Sequence, residues 1–182
     1  MELELETTSI FDLLREIEAK SIACVDAVDD QSSLMEVWSG LAFKVAGARV
    51  LAPMVEVNEI LNLPPALTRV PGAKVWVKGI ANIRGNLLPI IDFQAFLGGK
   101  SVVTNRRSRV LVINLSGITT GLLVGDVQGI RRFDDNQRIA SARIEGVVGR
   151  FVNAAFENDD GIWPVLSMKR LVNDDAFKMA AI

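Results

Sequence analysis

The side chains that most often carry out chemistry in proteins are scarce in this chain. Its 182 residues contain no histidine, and Cys24 is its one cysteine. A Ser-His-Asp or Cys-His catalytic centre therefore cannot form, nor can a zinc site of histidines and cysteines or a phosphohistidine. Because a thiol without a nearby base is a weak nucleophile, Cys24 is expected to be a buried helical residue rather than a catalytic one.

Two pairs of acidic residues are the next candidates for chemistry. Asp134-Asp135 and Asp159-Asp160 could accept a phosphoryl group if they stood at the ends of parallel strands, as in a receiver domain. The sequence does not show the alternating strands and helices of such a fold, so both pairs are predicted to lie in turns. With no cofactor loop and no cluster of acids and nucleophiles, the chain is predicted not to be an enzyme and to hold neither a cofactor nor a metal.

Basic residues gather in the middle of the chain. Residues 74–150 hold twelve basic residues against five acidic ones, including the run Arg106-Arg107-Ser108-Arg109. Such a stretch can bind nucleic acid or serve as a docking face for an acidic partner. A nucleic-acid-binding barrel interleaves its basic residues with exposed aromatic side chains, whereas this chain has no tyrosine and its three tryptophans are far apart. Nucleic-acid binding by a small basic β-barrel is therefore the lesser alternative, and no nucleic-acid partner is expected.

The amino-terminal residues predict a helical extension. After Ser9, the apolar residues at 10, 13, 14 and 17 follow helical spacing, and Asp12 suits the first turn of a capped helix. The apolar stripe of so short a helix needs a surface, either on its own domain or on a partner. Neither a signal peptide nor a membrane-spanning stretch is recognisable, so the chain is expected to be soluble and cytoplasmic, without direct insertion into a membrane.

From residue 38 onward the apolar pattern alternates, which indicates strands rather than helices. Three apolar pairs joined by short turns predict β-hairpins, namely residues 41–45 with 49–53, 109–115 with 120–124, and 149–156 with 162–166. Short helices are predicted at residues 55–61, 93–97 and 168–172. Many short strands separated by turns favour a mainly β fold that consists of a small barrel or a pair of barrels.

The most informative block lies between residues 70 and 98. Gly79 and Gly85 permit sharp bends on either side of Arg84, and no other charged residue lies within five positions of that arginine. Residues 87–91 are predicted to form a buried strand, and Asp92 can cap the short helix that follows it. An arginine fixed between two glycine bends is either a structural ion-pair member or a contact presented to a partner.

This block resembles the CheW family of chemotaxis adaptors. The family pattern has a lysine, a glycine, an Asn-x-Arg-Gly turn, an apolar strand with proline, and an aspartate. Here it reads Lys78-Gly79-Ile80-Ala81-Asn82-Ile83-Arg84-Gly85, then Pro89-Ile90-Ile91-Asp92. The resemblance covers residues 38–172. Within the family the chain is most similar to adaptors of the chemosensory systems that govern twitching motility by type IV pili; an adaptor of a flagellar or other array is the alternative.

The resemblance implies a fold and a function. CheW-like proteins consist of two intertwined small SH3-like β-barrels with short helices. Here that domain is expected over residues 38–173, between an amino-terminal helical extension of residues 1–37 and a tail of residues 174–182. Such proteins are non-catalytic scaffolds that connect the cytoplasmic tip of a methyl-accepting chemoreceptor with the regulatory domain of a CheA-type histidine kinase. The chain is thus expected to be recruited from the cytoplasm to a chemoreceptor array at the inner membrane.

The resemblance also implies binding residues. The receptor-facing groove is expected to include Val57, Glu59, Lys78, Gly79 and Arg84. The structural residues of the motif are expected to be Asn82, Gly85, Pro89 and Asp92. Exposed apolar residues of the second barrel are expected to contact the kinase, around Leu122, Leu123 and Asp126.

Glu59 and Arg84 are expected to form an ion pair, which either fixes the motif's loop for a receptor or only holds the barrel together. If the pair is buried, removing Arg84 alone would cost about 3–5 kcal/mol, since a carboxylate would be left without its partner.

Overall fold

The structure, a computed structural model, describes residues 37–139 and 146–179. In these ranges the strands are β1 Trp38–Val45, β2 Ala48–Pro53, β3 Glu59–Leu61, β4 Val77–Ile83, β5 Asn86–Asp92, β6 Arg109–Leu115, β7 Ile118–Val124, β8 Asp126–Phe133, β9 Arg138–Ile139, β10 Val152–Asn158 and β11 Gly161–Leu166. The α-helices are α1 Phe93–Phe96, α2 Met168–Asn173 and α3 Asp175–Lys178. The predicted amino-terminal helix and Cys24 lie outside the described residues.

The strands form two mixed sheets. The first has the order β8-β1-β2-β11-β10-β9, and the second has the order β3-β6-β7-β5-β4. The second sheet comes from one continuous stretch of chain, whereas strands from both sides of that stretch build the first. The only parallel pairs among the described strands, β2 with β11 and β5 with β7, join strands that are distant in sequence. The predicted mainly β fold of two intertwined small barrels is confirmed.

Three hairpins share one kind of turn. The turns between β1 and β2, β4 and β5, and β6 and β7 each contain two residues, the second of which is glycine. In each turn both φ angles are positive, as a type I′ turn requires. The first and third of these hairpins were among those predicted. The predicted hairpin at residues 149–166 is also present, but its first strand begins at Val152 because Val147–Phe151 forms a 3-10 helix.

The prediction of a helix at residues 55–61 is wrong. Met54–Glu56 forms a single 3-10 turn, and β3 then pairs with β6. The backbone N–H of Asn58 donates to the carbonyl of Val112 at 2.8 Å, so pairing with a distant strand outweighs the local apolar spacing. The helices predicted at residues 93–97 and 168–172 are present as α1 and α2. Asp159-Asp160 forms the turn between β10 and β11, as predicted. Asp134-Asp135 instead lies at the start of a 3-10 helix, Asp135–Gln137.

The two sheets share one large core. Its buried side chains include Phe43 of the first sheet, Leu111 of the second, Phe93 of α1 and Leu171 of α2. Phe177 of α3 is also fully buried in this core, although it lies beyond the boundary predicted at residue 173. Each sheet also has one smaller hydrophobic cluster of its own, which includes Phe133 and Trp163 in the first sheet and Ala81 and Leu123 in the second. Among the residues described, no helix is long and apolar enough to cross a membrane.

Candidate functional site

Arg84 stands at the tip of the β4–β5 hairpin. Ile83 pairs with Asn86, so Arg84 and Gly85 alone make the turn, with φ angles of 52° and 88°. The side-chain carbonyl of Asn82 accepts a hydrogen bond from the backbone N–H of Gly85 at 2.9 Å and closes the turn. Asparagine, aspartate or glycine would adopt the left-handed conformation with less strain than arginine. An arginine at this position therefore suggests that its side chain has a role of its own.

The guanidinium of Arg84 is held by Glu59 of β3. Its Nη2 lies 2.7 Å from Oε1 of Glu59, so the predicted ion pair is present. The side chain of Arg84 is 76% exposed and that of Glu59 is 34% exposed, which lets water screen the pair. The pair is therefore expected to contribute about 0–1 kcal/mol to stability rather than the larger amount expected for a buried pair. β3 and β4 are the two edge strands of the second sheet, so the pair connects the hairpin tip after β4 with the opposite edge strand.

The ion pair forms one wall of an open groove of about 460 Å³, which we call the Arg84 groove. Leu87 of β5 also lines it and is 73% exposed, whereas its neighbour Leu88 is 4% exposed. An exposed apolar side chain beside a charged pair provides an anchor and a polar rim, as binding surfaces commonly do. The full lining is Glu59, Ile83, Arg84, Asn86, Leu87, Leu88, Val112 and Thr119.

Leu87 is the residue that the sequence reading missed. Residues 87–91 were expected to be buried throughout, which is wrong for Leu87. Burial along β5 does not alternate strictly, since Ile90 and Ile91 are both buried. Leu87 lies at the end of the strand next to the β4–β5 turn, and the run of apolar residues gave no signal that separates it from its buried neighbours.

Three of the five predicted receptor-facing residues do not line the Arg84 groove. Val57 is 9% exposed and belongs to the large core. Gly79 is buried at a bulge in β4, where an added Cβ would lie 2.5 Å from the backbone carbonyl oxygen of Thr68. Gly79 therefore allows close packing against Thr68 of the same chain, not against a partner. Lys78 is at the start of β4, far along the strand from Arg84. Of the five, the structure brings only Glu59 and Arg84 together.

Asp92 organises the chain after β5. Its side chain is fully buried, and its two carboxylate oxygens accept hydrogen bonds from the backbone N–H groups of Ala95 and Val102, each at 3.0 Å. The first of these bonds caps α1, as the sequence predicted. Nζ of Lys78 lies 4.0 Å from the same carboxylate, so this lysine partly neutralises a buried charge. Pro89, also in the motif, accepts a hydrogen bond at its carbonyl from the hydroxyl of Thr120 at 3.1 Å.

The residues predicted to face the kinase do not form an exposed apolar surface. Leu122 and Leu123 of β7 are both fully buried and belong to two different core clusters. The expectation that their side chains are exposed is therefore wrong, because β7 is a central strand whose two faces are both packed. Asp126 is partly exposed and lies 3.5 Å from Nζ of Lys44 and 3.5 Å from Nη1 of Arg107.

The Arg84 groove has side chains suited to binding another protein. The ionisable groups in its lining are one carboxylate and one guanidinium, which pair with each other. The chain has no histidine to act as a base near neutral pH. Among residues 37–139 and 146–179, no group of three acidic, cysteine or histidine side chains is placed to hold a metal ion. A charged pair with an exposed leucine can recognise a protein surface without any bond being made or broken.

Comparison with known proteins agrees with this reading. The family model for the CheW-like domain matches residues 39–176. The chain is 34% identical to Protein PilI of Pseudomonas aeruginosa over 94% of this chain and 96% of that protein. It is 36% identical to Chemotaxis protein CheW of Rhizobium meliloti, over 52% of this chain and 61% of the relative.

A solved structure supports the fold independently. The scaffolding protein TtCheW from Thermoanaerobacter tengcongensis superposes with a TM-score of 0.65 over 76% of this chain and 94% of that one. Its sequence identity of 21% supports the fold alone. The family match, the long alignment to PilI and the shared fold together place the chain in the CheW-like family of chemosensory adaptor proteins.

Proposed function

We propose that this chain couples a methyl-accepting chemoreceptor to a CheA-type histidine kinase in a system that controls twitching motility by type IV pili. The observation that carries the choice of system is the alignment to PilI, which spans nearly all of both proteins, whereas the Rhizobium CheW aligns with about half of this chain. An adaptor of a flagellar or other chemosensory array is the alternative. Such a role places the chain at the receptor array on the inner membrane.

The Arg84 groove is the proposed receptor site. Glu59 and Arg84 would meet polar groups of the receptor tip, and Leu87 would supply the apolar anchor. Val57 and Gly79 would act from inside the barrel, by fixing the positions of the strands that carry this pair. Lys78 would add a partly exposed charge beside the buried Asp92.

The kinase contact is proposed from the family resemblance, in which adaptor and kinase domains pair barrel to barrel. Leu122 and Leu123 would contribute to it only through the shape of the second barrel, since their side chains are buried. Asp126 remains the one member of the predicted set whose side chain reaches solvent.

Reconstitution tests the proposal. Purified full chain, receptor cytoplasmic fragment and CheA-type kinase are mixed, and the receptor is pulled down. Recovery of the kinase only when the chain is present supports the adaptor role. Failure of the folded chain to bind either partner would refute it, and recovery of nucleic acid alone from a cell extract would favour the basic-barrel alternative. Deleting the gene and comparing twitching with swimming then separates the pilus system from a flagellar one.

A further inference from the structure

A second pocket lies on the first sheet, whereas the Arg84 groove belongs to the second. It is an open, polar pocket of about 490 Å³, which we call the arginine pocket. Its lining brings together three arginines that are distant in sequence. The arginines are Arg49, Arg107 and Arg131, and Asp160 and Trp163 lie beside them in the lining.

Two of these arginines are held against one indole ring. Cζ of Arg49 lies 4.9 Å from the ring centroid of Trp163, and Cζ of Arg131 lies 5.3 Å from it. The ring is itself fixed, because Trp163 is 1% exposed and its N–H donates to the side-chain oxygen of Asn158 at 3.1 Å. A guanidinium stacked on an aromatic face keeps its N–H edge free for other groups. The pocket thus presents two arginine forks in set positions, with less flexibility than arginines on an open surface.

The acidic groups nearby do not balance these charges. Arg49 donates to the backbone carbonyl of Asp160 at 3.1 Å, and the carboxylate of the same residue lies 3.7 Å from Nη1 of Arg131. That carboxylate is 58% exposed. Arg107 shares the carboxylate of Asp126 with a lysine. The lining of the pocket therefore holds three arginines and one carboxylate, on a chain whose net charge is −2.

We propose that the arginine pocket binds closely spaced carboxylates on an acidic segment of a protein partner. The arginine fork matches a carboxylate with two parallel hydrogen bonds, and the excess positive charge steers acidic segments toward it. Nucleic acid is a poorer match, because Trp163 is the one aromatic residue in the lining and its face is covered by arginines. The basic stretch of residues 74–150 was considered above as a docking face for an acidic partner. Arg107 belongs to that stretch and lines this pocket, so the pocket is where such a partner would bind. It depends on neither the receptor nor the kinase of the proposed function.

Peptide binding tests this proposal. A short fluorescein-labelled peptide of alternating glutamate and glycine is titrated with the full chain, and its anisotropy is followed. Arg49→Gln and Arg131→Gln are each expected to weaken binding roughly tenfold, as the loss of one hydrogen-bonded charge contact would. Thermal unfolding of both variants should match that of the native chain, since both side chains are on the surface.

Arg132→Gln is the matched control. It removes the same charge from the adjacent position of β8, whose side chain points to the opposite face of the strand. Its affinity for the peptide should stay within about twofold of the native value. Equal losses in all three variants would reduce the effect to general charge attraction and overturn the proposal, as would no loss in any of them. If inorganic phosphate displaces the peptide at an equal concentration, the ligand of the pocket is free phosphate and the proposal is wrong. If an oligonucleotide of equal charge binds more tightly than the peptide, the ligand is nucleic acid and the proposal is also wrong.

Discussion

At the tip of the β4–β5 hairpin, Arg84 holds a backbone conformation that asparagine adopts more easily. Its ion pair with Glu59 is exposed and adds little to stability. Neither the backbone nor the pair thus accounts for an arginine at this turn. Contact with a partner would account for it, and the two effects can be separated by substitution.

Arg84→Asn is expected to leave the free energy of unfolding within about 1 kcal/mol of the native value. The lost ion pair and the relieved backbone strain are each of about that size and have opposite signs. Receptor binding should fall about tenfold or more, because a groove-lining arginine is removed. Urea unfolding and the receptor pull-down measure the two quantities.

Glu59→Gln provides the comparison for this variant, since it removes the ion pair and leaves the guanidinium in place. It should retain more receptor binding than Arg84→Asn. A loss of stability by more than about 3 kcal/mol in Arg84→Asn, with binding lost only through unfolding, would instead assign the arginine to holding the barrel together.

Among the secondary-structure elements, the sequence correctly predicted the turns and helix caps that depend only on neighbouring residues. The X-Gly turn at Ala46-Gly47 and the capping aspartate at Asp92 are set by residues within one or two turns of chain. The helix predicted at residues 55–61 failed because β3 is stabilised by a strand about fifty residues away. Leu122 and Leu123 were misjudged because alternation cannot show that both faces of a central strand are packed.

Gly47 and Gly79 are required for different reasons, the first for its backbone conformation alone and the second also for the lack of a side chain. Both have positive φ, 142° and 83°, but an added Cβ at Gly79 meets the Thr68 carbonyl oxygen at 2.5 Å, whereas at Gly47 it meets nothing within 4 Å. Gly47→Ala is expected to lower the free energy of unfolding by about 1 kcal/mol, and Gly79→Ala by about 2–4 kcal/mol. Urea unfolding measures both. Equal losses would show that the contact with Thr68 does not restrict this position.

Helix α3 is expected to be part of the folded domain rather than a tail. Phe177 is fully buried, and its ring centroid lies 5.2 Å from that of Phe96 in an edge-to-face arrangement. Phe177→Ala should lower the free energy of unfolding by about 3–5 kcal/mol, measured by urea titration. Lys178→Ala, which changes an exposed residue of the same helix, should stay within about 0.5 kcal/mol of the native value. Similar small effects in both variants would mean that α3 does not support the core.

The domain formed by residues 37–139 and 146–179 is expected to unfold in one step. Buried side chains from both sheets belong to a single core, as Phe43 and Leu111 show, so neither barrel can open without exposing the other's interior. Tryptophan fluorescence and far-UV circular dichroism should therefore give coincident urea transitions. Two separate transitions would show that the barrels are stable independently of each other. The apolar pattern predicted a small barrel or a pair of barrels, and the resemblance implied two intertwined ones. Which strands share the core could not be predicted, because it depends on contacts between strands far apart along the chain.

All strands of the second sheet lie in sequence between β2 and β8 of the first sheet, which affects the order in which the two sheets can form during synthesis on the ribosome. All five strands of the second sheet have been made by Val124, and they can pair while later residues are still being added. The first sheet cannot, because β2 waits for β11, which ends at Leu166. Until then the apolar residues of β1 and β2 lack their final partners and are open to aggregation or to chaperones. Because the two sheets share one core, we expect truncation before β11 to leave apolar side chains of both sheets exposed, a form that quality control would recognise.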